Sequence, residues 1–159
     1  MTDALDSTEL ARFLEILTPI RPALVPCRPG TKIPAVKWAE HPPGLVHPRC
    51  ADPGVTAIAL LTGSRSGGLV VIDVDAAKGG FESLARLERE WGEIPATLVV
   101  RTPTGGIHVY LVGPAGRSLE SNANKIAPGV DVRGEGGIVL VPGSVHPKGG
   151  IYRIEDAPT

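Results

Sequence analysis

Glycine and proline set the tightest limit on what this chain can build. With 20 Gly and 16 Pro in 159 residues, most elements must be short and joined by tight turns. Two stretches read as helices. "STELARFLEIL" starts with a Ser/Thr cap and sets Leu10, Phe13, Leu14 and Leu17 on one face. "GGFESLARLEREWG" makes about three turns with Phe81, Leu84, Leu87 and Trp91 inward. Most of the remainder reads as strands. "PALVPC" is a short one, and the Pro/Gly-rich "RPGTKIPAVKWAEHPPG" holds no long element. "TAIALLTG" (56–63) and "GLVVIDVD" (68–75) read as adjacent strands, and "TLVVRT" (97–102) and "IHVYLV" (107–112) as a hairpin across "PTGG". "GVDVRG" is expected to pair with "GIVLVPG" across another Gly-rich turn, and "IYRI" is the last strand. Helix, strands, helix, strands is the order of an α+β fold with a mostly antiparallel sheet.

Composition narrows the function. A chain that is 42% hydrophobic and 21% charged can fill one globular domain over residues 1–159. Aromatics at 4% leave the core to Val, Ile, Leu and Ala. A net charge of −1 excludes a broad basic face, so any nucleic-acid contact must be local. Cys27 and Cys50 stand far apart without metal-ligand spacing, so neither zinc nor a disulfide framework is expected. No signal peptide or membrane-length apolar run is seen, which points to the cytosol and no membrane partner. The closing "EDAPT" reads as the start of a linker to further domains.

The chemistry starts at "GGLVVIDVD" (67–75). Residues two apart on a strand share a face. Val70, Ile72 and Val74 make an apolar face, expected to be the inner one, while Leu69, Val71, Asp73 and Asp75 make the other. The two carboxylates then stand about 7 Å apart at Cα. Side by side they would repel and take up protons, a cost that a bound divalent cation removes. A plain turn leading into the next helix uses the same residues. A third acid repeats the construction: in "GVDVRGEGG", Val130 and Val132 face one way and Asp131 and Arg133 the other, with Glu135 beyond them solvated. Three carboxylates from two strands suit a two-metal site for phosphoryl transfer.

"RTPTGGIHVYL" places Gly105 and Gly106 in a turn, then His108 and Tyr110 on one strand face. Such glycines let a phosphate approach backbone amides, and the Thr104 hydroxyl and the His108 imidazole can donate to its oxygens. A hairpin turn followed by a partly buried histidine is the plainer reading.

Taken in order, strand-DxD, helix, "TPTGGIH" and "GVDVRGEGGIVLVPGSVH" resemble the bifunctional DNA primase/polymerase domain, the prim-pol branch of the archaeo-eukaryotic primase superfamily of phage and plasmid replication proteins. The likeness covers about residues 20 to 154 and takes in "PGTKIPAVKW". It implies an RRM-like α+β core with flanking helices. It also implies template-dependent nucleotidyl transfer with two Mg²⁺ or Mn²⁺ ions on Asp73, Asp75 and Asp131, and His108 on the phosphates of the incoming nucleotide. By the same resemblance Ser144 and His146 of "PGSVHPKGG" stand near the nucleotide, and Lys32 and Arg133 become charge partners for triphosphate or template. Lys37, Arg101, Lys125 and Lys148 are weaker candidates, and Trp38 is expected to pack. The implied partners are a single-stranded template or primer–template, NTP or dNTP, and a C-terminal helicase. Primer extension is expected over de novo priming, in the cytosol of a bacterial host.

Three other readings compete. A nucleotide- or ssDNA-binding module without turnover would keep the fold. A metal-dependent nuclease or replication initiator would need a histidine pair and a nucleophilic Tyr on a helix, whereas Tyr110 follows His108 on a strand. A sugar-nucleotide transferase shares DxD but normally needs a longer chain.

Overall fold

The computed structural model describes residues 4–114 and 119–158, with the backbone alone for 123–125. In chain order the elements are α1 (Ser7–Leu17), β1 (Ala23–Pro26), β2 (Ile58–Leu61), β3 (Leu69–Val74), α2 (Gly80–Trp91), β4 (Val99–Arg101), β5 (Ile107–Val112), β6 (Asn122–Ala127), β7 (Val130–Arg133), β8 (Ile138–Leu140) and β9 (Arg153–Asp156). The strands form two sheets, β1-β2-β8 and β6-β7-β3-β5-β4-β9, and every strand pairing in them is antiparallel. The α+β class and the 97–102/107–112 hairpin stand as expected.

The main core lies between the small sheet and one face of the large one, closed by α1. Phe13 and Leu17 of α1 meet β1, β2, Leu69, Val71, Val100 and Tyr110 there. Trp38 packs against this core from the Pro-rich segment, as expected. The other face of the large sheet carries α2, which packs on β3, β6 and β7 and is tied down by the Ser83 hydroxyl, donating to the Pro128 carbonyl at 2.6 Å. Val74 and Val130 are buried beneath it.

Several expectations are corrected. The cap of α1 is Asp6, whose Oδ1 accepts from the N–H groups of Thr8 and Glu9 at 3.1 Å. The carboxylate lies one residue before the Ser/Thr pair, which starts the helix itself. Residues 56–63 and 68–75 are not paired strands. β2 and β3 belong to different sheets and touch through one bridge, Gly63 to Leu69. In the same way β7 pairs with β3 and β6 while β8 pairs with β2, so residues 134–137 carry the chain between sheets. The turn chemistry is the same in a hairpin and in a crossing. On α2, Phe81 and Trp91 are exposed, Trp91 at 80%. Gly80 and Ser83 face the sheet instead.

The largest correction concerns β3. The acids do not lie on an outer face opposite an inner one. Leu69 and Val71, which share their face, sit in the main core, while Val70 and Val74 are buried on the other. A strand covered on both sides has no outer face, and a near-continuous apolar run is its signature. Asp73 occupies the end of the core face, at the cleft between the two sheets, and Asp75 lies just past the strand.

Candidate active site

Register assembles the site. Asp73 on β3 stands opposite His108 on β5 and opposite Asp131 on β7, so three side chains form one row across three strands. His108 Nε2 lies 3.5 Å from Asp73 Oδ1. Arg133, two residues past Asp131 on the same face, donates from Nη2 to Asp131 Oδ2 at 3.2 Å and to Asp73 Oδ2 at 3.5 Å. Burial works against the Asp73 carboxylate, but His108 and Arg133 beside it outweigh burial and hold its carboxyl below the usual range.

The row opens on a cleft of about 210 Å³ between the sheets. Lys32 and Arg133 border it with Asp73, His108 and Tyr152, and residues Ile138, Val139 and Leu140 of β8 supply an apolar wall. β8 is an edge strand of its sheet, paired with β2 among the described residues. The cleft is thus basic and apolar around one row of acids. Phosphate, a flat apolar base and a hard cation can each find a matching surface in it.

Four candidates from the sequence therefore meet in space with Asp131: Lys32, Asp73, His108 and Arg133. Others take different work. The Asp75 side chain caps the short 3₁₀ turn 76–78, accepting from the Ala77 N–H at 3.0 Å. Among the described residues no three His, Cys, Asp or Glu side chains gather as a metal-binding group. The fit to a cation thus rests on Asp73 and Asp131, two hard oxygen donors in register, where Arg133 now supplies the positive charge.

Gly105 and Gly106 are not a phosphate cradle as the loop stands. The Gly105 N–H donates to the Thr102 carbonyl and the Gly106 N–H to Thr102 Oγ1, both at 3.0 Å. Gly106 is required for a different reason: a Cβ there would stand 2.2 Å from the Val74 carbonyl oxygen. Thr104 is exposed in the turn, 3.3 Å from the Thr102 hydroxyl. Arg101 is displaced by strand parity. Its neighbour Val100 shares the His108 face, so Arg101 lies on the opposite one and pairs with Glu155.

Ser144 is fully buried, its hydroxyl bonded to both the N–H (3.0 Å) and the carbonyl (3.3 Å) of Ile58. It holds the loop after β8 to the end of β2. Burial, with Lys32 and Lys148 nearby, lowers the pKa of His146, so at neutral pH it is an uncharged ring. Glu135 is not simply solvated, since it accepts from the N–H and hydroxyl of Ser64. Lys37 and Lys148 are exposed, and the Lys125 side chain lies outside the described residues. Cys27 and Cys50 are free thiols.

Tyr152 was not among the sequence candidates. It lies just past the "PGSVHPKGG" segment, is 3% exposed and lines the cleft. Its signal in the sequence was scarcity: the chain has two tyrosines, and both are buried on the site's side of the large sheet.

An antiparallel α+β fold with an acid row beside a basic cleft fits a primase-like catalytic core. The chain belongs to the bifunctional DNA primase/polymerase N-terminal family, whose model matches residues 21–159. Membership makes it a nucleotidyltransferase-type enzyme with DNA and nucleotides as substrates, in a family that depends on divalent metal. Among curated proteins no match is found. No helix of the described residues is long and apolar enough to cross a membrane.

Proposed function

We propose that this chain carries out template-dependent nucleotidyl transfer in phage or plasmid DNA replication, extending a primer with NTP or dNTP by a two-metal mechanism. The observation that carries the reading is the row His108–Asp73–Asp131 with Arg133, open to a cleft that Lys32 also borders. Asp73 and Asp131 are the residues to hold divalent Mg²⁺ or Mn²⁺, and Asp75 joins them by giving up the Ala77 N–H. When bound, such ions activate the 3′-hydroxyl and neutralise charge on the leaving pyrophosphate.

The protein's own groups do the rest by position and charge. Arg133 exchanges its two carboxylates for phosphate oxygens, which a guanidinium matches in geometry. Lys32 adds a point charge at the mouth. His108 donates from Nε2, the nitrogen turned toward Asp73. The β8 wall packs against the base and keeps water from the phosphates.

Residues 1–159 are read as one catalytic domain, the N-terminal part of a longer replication protein working with a helicase in the cytosol of a bacterial host. Primer extension is the proposed activity, ahead of de novo priming. The test is metal-dependent incorporation of labelled nucleotide on a primer–template. Asp73→Ala with Asp75→Ala should fold and incorporate nothing, and normal extension by that folded variant sinks the assignment.

One feature favours a second reading, a nucleotide- or ssDNA-binding module without turnover: Asp75 is spent on its cap. In that case the wild-type chain binds triphosphate and DNA but incorporates nothing with either metal.

A further inference from the structure

His108 lacks the hydrogen bond that normally fixes a working imidazole. Its Nδ1 is buried and has no partner among the described residues, and its Nε2 meets Asp73 only at the long distance of 3.5 Å. A ring held so loosely at one edge can turn about χ2, since that torsion is broad for histidine. What packs beside it, tilted, is the Tyr152 ring, with centroids 5.8 Å apart and planes inclined by 32°. Tyr152 makes a second tilted ring contact, with His146, at 6.1 Å and 36°.

We infer that Tyr152 is a positioning residue for His108, backed by His146, so that packing against a row of rings and not a hydrogen bond aims the nucleotide-facing imidazole. The inference rests on the role of His108 proposed above.

The row of rings is anchored in backbone. The Tyr152 N–H donates to the Ser144 carbonyl at 3.1 Å, and the Gly143 N–H donates to the Tyr152 carbonyl at 2.9 Å. His146 is fixed as firmly: its N–H donates to the Gly150 carbonyl, and its Nδ1 accepts from the Lys148 N–H at 3.0 Å. Ser144 then bonds the whole turn to Ile58 at the end of β2. The segment "PGSVHPKGG" thereby acquires a purpose that phosphate contact did not give it. Ser144 locates the turn, His146 packs beside Tyr152, and Tyr152 packs beside His108. An uncharged His146 suits this role, because a neutral ring packs without importing charge beside the cleft.

The ring, more than the hydroxyl, is what the inference needs. Phenylalanine should replace it, and an aliphatic side chain should not.

The experiment is a double-mutant cycle on primer extension, with KM for the nucleoside triphosphate and kcat measured separately. His108→Ala should raise KM, which tests the underlying role. Tyr152→Leu should raise KM about tenfold, a loss typical of a misaimed contact group. The double variant should be no worse than His108→Ala, because a positioning residue has nothing left to position. Tyr152→Phe should return KM to within about twofold of the wild type. A merely structural Tyr152 gives losses that multiply with those of His108→Ala, and that outcome overturns the inference while leaving the role of His108 intact. Unchanged KM in His108→Ala removes that role and the inference with it. If circular dichroism shows Tyr152→Leu unfolded, His146→Ala, which takes away only the outer ring, runs the same cycle. Non-additivity with His108→Ala supports positioning through the ring contacts, and multiplied losses overturn it.

Discussion

Asp73 and Asp131 face one another across β3 and β7 and share a single guanidinium, that of Arg133, at 3.5 and 3.2 Å. That cation offsets the repulsion between the two acids, and under the proposed two-metal reading it competes with a divalent ion for the same carboxylates. Arg133→Ala should accordingly bind Mn²⁺ more tightly in the absence of nucleotide, by titration calorimetry. Its KM for triphosphate should rise by about one to two orders of magnitude, the worth of a lost charge-assisted hydrogen bond or two. Weaker Mn²⁺ binding in the variant contradicts this account of the row.

The carboxyl of Asp73 is held below its usual pKa by His108 and Arg133 against the pull of burial. A depressed folded pKa stabilises the native state above the unfolded value of 3.8, and that contribution is lost as pH falls through the folded one. Melting temperature should therefore drop on the acid side of about pH 4. Asp73→Asn should show a shallower acid drop than the wild type. An identical acid limb in the two proteins contradicts the ion-pair assignment.

Gly106 and Gly105 separate two kinds of glycine requirement in one turn. A methyl at Gly106 meets the Val74 carbonyl oxygen at 2.2 Å, whereas at Gly105, with φ +90°, it meets nothing within 4 Å. Gly106→Ala should cost about 3 kcal/mol or more by urea unfolding, since backbone on both sides must move. Gly105→Ala should cost only the strained torsion, about 1–2 kcal/mol. Equal losses contradict the contact.

Burial pushes the Cys27 thiol up to about 11, and burial together with the neighbouring Cys27 and Asp52 pushes Cys50 up to about 12. At neutral pH neither is a thiolate, and the thiolate is the reactive form. Native protein should take up iodoacetamide far more slowly than urea-unfolded protein, which labels at both positions by mass spectrometry. Fast native labelling at Cys50, which is half-buried, contradicts the raised pKa.

What could be read from sequence was what depends on neighbours along the chain. Parity on β3, β5 and β7 is local, so the sharing of one face by Leu69, Val71 and Asp73, by His108 and Tyr110, and by Asp131 and Arg133 could be read, whereas the row Asp73–His108–Asp131 is a matter of strand register. Which face meets the core is a tertiary fact, and β3 concealed it by being apolar on both sides. Strand partners were misread wherever a Gly-rich stretch crosses between sheets, as between β7 and β8, because the residues of such a crossing are those of a hairpin. Asp75 was misplaced for a related reason: a residue past the end of a strand no longer obeys its alternation, and the 3₁₀ turn takes its side chain. Tyr152 went unnoticed because its importance comes from two rings, His108 and His146, that are 44 and 6 residues away in the chain.

Asp75 decides how the acids are used. Its carboxylate accepts from the Ala77 N–H, and an asparagine side chain can do the same. Asp75→Asn should therefore fold with nearly unchanged stability, within about 0.5 kcal/mol. If Asp75 leaves its cap to join Asp73 and Asp131 when a divalent ion binds, the amide is a poorer ligand than the carboxylate. Incorporation should then fall at least a hundredfold, in line with losing a first-rank charge from a phosphoryl-transfer site, and excess Mn²⁺ should restore part of it. A stable Asp75→Asn that extends primers at the wild-type rate assigns Asp75 to the turn alone. The metal would then rest on Asp73 and Asp131, and Asp131→Asn, measured beside it, should be the more damaging change.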